Sequence, residues 1–287
     1  MTDPTYDAPK TSFWGRLPVT PRAIVSGILV ALIAANVWPL LLMQLGVPLA
    51  AAAEALFLIV YLWWATGHGA PRSTKAARAD AGRAGRFTAA QWTWGIIAAV
   101  AFAVTINAAI TVLFRLVPFP MEDFRRGYDL SFIPTFPLKL LACVVSATSA
   151  GVCEETGFRG YMQRPIERRH GPVIAIAISS LLFAVIHVNK GFEAVPAMLG
   201  VTLGAGVLLG LIAWASGSLI PGIIGHAMMD TALFAFWWTG TVGDFTAQPI
   251  SVTGVDAGFQ MACAVLGGAL IVVLTAIVAL RRMRRTD

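Results

Sequence analysis

The strongest constraint on this chain is a series of apolar runs separated by short polar or basic breaks. A helix needs about 20 mostly apolar residues to cross a bilayer. Eight runs reach or approach that length: 23–45, 47–65, 92–117, 136–162, 172–188, 196–214, 219–238 and 257–280. The fifth is short. The expected fold class is therefore all-α, a polytopic membrane protein with about eight transmembrane helices in one bundle. With 57% hydrophobic and 13% charged residues and a mean hydropathy of +0.74, composition excludes an ordinary soluble domain. The net charge of +6 is no nucleic-acid footprint, because the basic residues gather at the ends of the runs. No nucleic-acid partner is expected; the partners are the lipid bilayer and whatever the bundle acts on.

Order along the chain follows from these breaks. Residues 1–22 form a polar arm, and 23–117 hold three helices with a basic loop over 68–90. Residues 136–238 hold four helices, 257–280 the last helix and 281–287 a basic tail. The first run lacks a small-residue cleavage site and reads as an uncleaved helix. Gly46-Val47-Pro48 suits a tight turn between the first two helices. Eight of the nine tryptophans lie near the ends of runs, as interfacial anchors do; Trp38 is the exception. With eight spans, sixteen of the 21 Lys and Arg residues fall on the side of the two termini, Arg159 counted among them. Both termini are thus expected in the cytoplasm. The stretch 68–87 reads as a solvated or lipid-surface linker, or a short basic helix, and 239–255 as a flexible loop. Gly200, Gly204, Gly206 and Gly210 predict close helix packing. Cys143, Cys153 and Cys263 suggest neither a disulfide framework nor a CxxC metal pair.

Ionisable residues inside apolar spans are costly and usually face a bundle interior or wet cavity. Four of the fifteen acidic residues fall there, Glu54, Glu154, Glu155 and Asp230, with two of the four histidines, His187 and His226. Five of the six form short motifs at helical spacing: Glu154-Glu155-x-x-x-Arg159, Phe183-x-x-x-His187 and His226-x-x-x-Asp230. Glu155 and Arg159 share a helix face and can pair, which leaves Glu154 pointing elsewhere. If the three helices converge, two chemistries are open. Two histidines and a carboxylate can bind a zinc-like ion that activates water. Alternatively Glu154 is itself the general base, with the histidines and Asp230 orienting water and stabilising an oxyanion. Either points to hydrolysis, most simply of a peptide bond, although HExxH is absent. The depths agree only if the fourth and fifth helices project about two turns beyond the sixth–seventh turn. Phe183 is expected to pack beside the site. Glu54 is expected near an outer helix end, snorkelling or pairing with Lys139 or Arg115. His68 and His170 read as solvated, and Asn107 as an interhelical hydrogen-bonding group.

At these three motifs, within 136–238, the chain resembles the CPBP intramembrane proteases, the family of CAAX proteases and bacteriocin-processing enzymes also called Abi. The resemblance implies that Glu154 activates water and that His187 and His226 are essential. It also implies that Glu155 and Arg159 support the site. It leaves open whether one divalent metal, zinc first, is held by His187, His226 and Glu154. Asp230 stands where the eukaryotic prenyl-protein proteases have Asn, and bacterial relatives accept Asp. The expected function is an intramembrane endopeptidase in a bacterial plasma membrane, acting on a membrane-associated peptide or protein, lipidated or not. The alternatives are a non-catalytic binding protein of the same fold, such as a self-immunity factor, and an ion-coupled transporter.

Overall fold

The computed structural model describes residues 16–83, 85–118, 122, 129–187, 197–242 and 248–284, with no strand among them. The first run becomes two helices, α1 (Val19–Ala35) and α2 (Val37–Leu45), interrupted at Asn36. Gly46 at φ +69° then makes the tight turn into α3 (Val47–Ala65), with Pro48 in the first turn. A short α4 (Lys75–Ala81) leads to α5 (Ala89–Leu116), which Thr88 and Gln91 open with a capping box. The fourth run is α6 (Phe136–Glu154), continued without a break by a π-helical segment (Glu155–Gln163) and α7 (Arg164–His170). The remaining helices are α8 (Pro172–Ile186), α9 (Ala197–Ser216), α10 (Ile220–Ala232), α11 (Ile250–Thr253) and α12 (Ala257–Arg284). A second π-helical segment, Leu233–Trp238, extends α10. Six of these units are long and apolar enough to cross a membrane, and α8 is a shorter apolar helix. Val188 and Pro196, the expected limits of the fifth and sixth spans, lie outside the described residues. So do Lys10, Arg125, Arg126, Lys190 and Arg285.

Two apolar cores flank the fourth helix. α5, α9, α10 and α12 share one around Phe102, Phe114, Leu209 and Val273. α1, the first π segment and α8 share the other, around Phe158, Met162 and Phe183. Large apolar side chains such as Ile33, Met43, Ile59 and Ile271 face outward, the surface a bilayer would cover. At one crossing the backbones almost touch: a Cβ on Gly157 would stand 2.5 Å from the Gly27 carbonyl oxygen and from Ala31. Such contact needs glycine. The sixth-span glycines divide. Gly206 and Gly210 pack against Ser180 and Ile176, whereas Gly200 and Gly204 have no neighbour there.

Three expectations change. In the stretch 68–87 the expected short basic helix forms over Lys75–Ala81, but the stretch is not solvated throughout. Arg78 is buried with its guanidinium on the carbonyls of Trp64, His68, Gly69 and Pro71, so the chain wraps it. Arg83, also buried, reaches the bundle itself. Glu54 is wholly buried and takes a 2.6 Å hydrogen bond from Ser149 on α6, while Arg115 pairs with Asp256 at 2.7 Å. Arg159 is fully buried, so it belongs to the interior and not to the end charges. Elsewhere, His170 meets the Thr20 hydroxyl at 3.1 Å, and Asn107 spans to the Met229 carbonyl at 3.4 Å.

Candidate active site

Three helices bring the motifs together. α6 and α10 cross where Gly151 lets the backbones close: a Cβ there would lie 3.0 Å from the Ile223 carbonyl and 3.1 Å from the Ala227 nitrogen. This crossing sets Glu154, at the end of α6, beside His226 on α10. His187 caps α8, and its Nδ1 lies 2.6 Å from the Phe183 carbonyl. A carbonyl only accepts, so Nδ1 carries the proton and Nε2 points its lone pair away from it. That Nε2 stands 3.7 Å from Glu154 Oε2.

The His226 ring is gripped from both ends. Its Nδ1 is 2.9 Å from Glu155 Oε1, and its Nε2 is 3.4 Å from Asp230 Oδ2 and 3.9 Å from Glu154 Oε2. Glu155 Oε1 also takes 2.7 Å contact from Arg159 Nη1. Glu155 therefore has two tasks: it neutralises Arg159 and it orients His226. Gly222 leaves space for it, since a Cβ there would sit 3.1 Å from Glu155 Oε2. The Arg159 guanidinium lies 4.4 Å from the centre of the Phe183 ring, and Nη2 donates to the Gly206 carbonyl at 3.2 Å. Phe183 in turn lies against His187 and His226, at centroid distances of 4.5 and 5.9 Å. It packs, as expected, against Arg159 and both histidines of the site.

Glu154, His187, His226 and Asp230 line a cavity of about 80 Å³ whose other walls are mostly apolar, including Ile110, Val201 and Leu233, with Thr202 the exception. It has room for a few waters. Arg83 touches both the Arg159 carbonyl at 3.2 Å and the Ala213 carbonyl at 3.0 Å, so the end of α9 lies level with Arg159. The fourth helix then runs on to His170. At this projecting end Asp80 pairs with Arg164 and Arg168, and Glu167 with Arg83 and Arg164. Burial pulls the Arg83 guanidinium below its ordinary pKa, and Glu167 beside it pulls it back up.

The donor set suits a metal in kind. Both imidazoles hold an oxygen acceptor at Nδ1, the Phe183 carbonyl or Glu155, as metal-bound histidines usually do, and turn Nε2 toward carboxylates. The spacing is wider than a closed site: ligands on a tetrahedral zinc lie about 3.3 Å apart. Correspondingly, no three His, Cys, Asp or Glu among the described residues already stand at metal-site spacing. Sequence reasoning missed Ser149 as the partner of Glu54, and Arg83. It also missed Gln163, which donates to the Gly210 carbonyl at 3.0 Å. An i,i+4 pattern carries no signal for contacts between distant helices.

Comparison with known proteins gives one match. Residues 135–232 match the family model of the Rce1-like type II CAAX prenyl endopeptidases, about a third of the chain. No curated protein and no solved structure matches it.

Proposed function

We propose, from the match of residues 135–232 to the Rce1-like type II CAAX prenyl endopeptidase family model, that the chain is an intramembrane endopeptidase with Glu154 as its base. Its substrate is a membrane-associated peptide or protein. The observation that carries this reading is the gap between Glu154 Oε2 and the two Nε2 atoms, 3.7 and 3.9 Å, inside a largely apolar cavity. Those distances exceed a direct hydrogen bond and suit a small polar guest shared by all three groups.

In this mechanism a water in the gap gives a proton to Glu154 as its oxygen attacks the peptide carbonyl carbon. The carbonyl π pair moves onto oxygen, His226 stabilises that oxyanion, and the His187 Nε2 lone pair accepts from the attacking water and orients it. Glu154 then hands the proton to the amide nitrogen as the oxyanion pair re-forms C=O and the C–N bond breaks, which leaves an amine and a carboxylic acid whose proton passes to the amine. His226 Nε2 and Asp230 Oδ2 face each other at 3.4 Å. Two acceptors so placed need a proton, a water or a cation between them. A proton there makes His226 the oxyanion donor, with Glu155 holding the ring in place. Glu154, His187 and His226 would hold a divalent ion, zinc first, which would supply Lewis-acid polarisation of the carbonyl and a more acidic water. The basic ends support a reading with both termini on the cytoplasmic side of a plasma membrane, and the apolar side chains around the cavity favour an apolar or lipidated substrate.

The test is cleavage of membrane-anchored peptides by protein in lipid nanodiscs. Wild type is expected to cleave and Glu154→Gln to stop, with both folded. Equal cleavage by Glu154→Gln would assign the base elsewhere. If neither cleaves, binding alone is the function.

A further inference from the structure

The helix that carries the site changes its step, and that change leaves a carbonyl needing a donor. In a π-helix each N–H bonds the carbonyl five residues back. Over Glu155–Gln163 the last such bond runs from Gln163 to Phe158. The next N–H, that of Arg164, returns to the carbonyl four back, Gly160. The carbonyl of Arg159 is skipped. It lies in the bundle interior, where a carbonyl without a donor is expensive.

Arg83 supplies the donor. Its Nε meets the Arg159 oxygen at 3.2 Å, Nη1 the Ala213 oxygen at 3.0 Å and Nη2 Glu167 Oε2 at 2.7 Å. One guanidinium thus ties the wide turn to α9 and to α7. Its backbone stands at φ +45°, the one positive φ outside glycine among the described residues. Such a conformation persists where the surroundings over-determine it. The chain before it lies directly on the π segment: a Cβ on Gly160 would be 2.8 Å from the Ala81 carbonyl. On α9, the carbonyls of Gly206, Gly210 and Ala213 accept from Arg159, Gln163 and Arg83 in turn. Three successive levels of α9 are thus tied to the motif helix, two directly and the third through Arg83.

We propose that Arg83 is the positioning residue that holds this helix in its π register and so sets Glu154 and Glu155 against His226. The connection is short. Arg83 holds the Arg159 carbonyl, Arg159 holds Glu155, and Glu155 Oε1 holds His226 Nδ1. Without Arg83, an ordinary α-helical bond satisfies the Arg159 carbonyl internally. Absorbing that residue turns everything before it by about 100° relative to α7. Glu154 then leaves the cavity. The role of Arg83 in turnover rests on the peptidase reading; its role in geometry does not.

The experiment uses the full chain in nanodiscs with ¹⁵N-labelled histidine, and compares wild type, Arg83→Lys, Arg83→Ala and Glu167→Gln. A lysine ammonium cannot serve three diverging acceptors. Arg83→Lys is expected to move the His226 imidazole resonances and to lower kcat about 10- to 100-fold, the cost of one orphaned buried carbonyl, with KM within about twofold. Guanidinium ion added to Arg83→Ala is expected to restore part of kcat. Glu167→Gln keeps the Nε contact and is expected to change less than either. If Arg83→Lys leaves the His226 resonances in place, the positioning role is overturned even where wild type cleaves peptide. If both Arg83 variants fail to fold while Glu167→Gln folds, the residue is merely structural and the proposal fails. If the resonances move but wild type cleaves nothing, the positioning role stands and the peptidase reading fails.

Discussion

Glu54 and Glu154 are both buried carboxyl groups in apolar helices, and both adjoin α6, yet their surroundings share almost nothing. Glu54 meets the Ser149 hydroxyl at 2.6 Å; its Oε2 has no hydrogen-bond partner, and among the described residues no cation pairs with it. Glu154, five residues further along α6 than Ser149, faces two imidazoles across a cavity with Asp230 beside them. A carboxyl closed in by packing with one hydroxyl has nowhere to send a proton. A carboxyl facing space and other titratable groups does. Burial alone therefore does not mark a catalytic acid in a membrane; the company and the cavity do.

This contrast can be broken by substitution. The largest effect is expected from Glu154→Gln, which should lower cleavage about a thousandfold with the unfolding midpoint nearly unchanged. Glu155→Gln comes next. It leaves the fully buried Arg159 guanidinium without its carboxylate, so a loss of about 3–5 kcal/mol in stability is expected by denaturant titration, together with reduced kcat. Ser149→Ala should cost about 1–2 kcal/mol, because it strips Glu54 of its hydroxyl, and should leave kcat alone. Glu54→Gln should be milder still, with kcat within about twofold of wild type. A large loss of turnover there would erase the distinction between the two carboxyls.

Asp256 supplies the solvated extreme. The Arg115 guanidinium and the Phe259 N–H hold its pKa down at about 2, from 3.8. A group depressed on folding stabilises above its unfolded pKa, and that contribution disappears as pH falls through the folded one. Asp256 should therefore support folding above about pH 4 and cease to do so toward pH 2. Thermal unfolding should show wild type and Asp256→Asn converging over that window.

How much of this could be read beforehand depends on whether a contact is local. The six long apolar units and the shorter α8 follow from apolar run length, and the turn at Gly46 follows from its residue types. The three motifs are i,i+4 pairs, visible along a single helix. That their helices converge depends on Gly151 and Gly157, whose close approaches involve residues on α10 and α1. Glu54 was misjudged because its partner is 95 residues away and nothing near position 54 points to it. The stretch 68–87 resembles solvated linker by composition, since buried and exposed arginines are written alike. The π register has no residue pattern of its own; its evidence is the hydrogen-bond step and the guanidinium that meets the skipped carbonyl.

The central claim is that Glu154 activates water for attack on a peptide bond. The most direct measurement is cleavage of a membrane-anchored peptide in H₂¹⁸O, with mass spectrometry of the new carboxyl terminus. Wild type is predicted to place one ¹⁸O atom there, and Glu154→Gln to yield no product above background. Labelled product from Glu154→Gln at the wild-type rate, or none from wild type, would contradict the account.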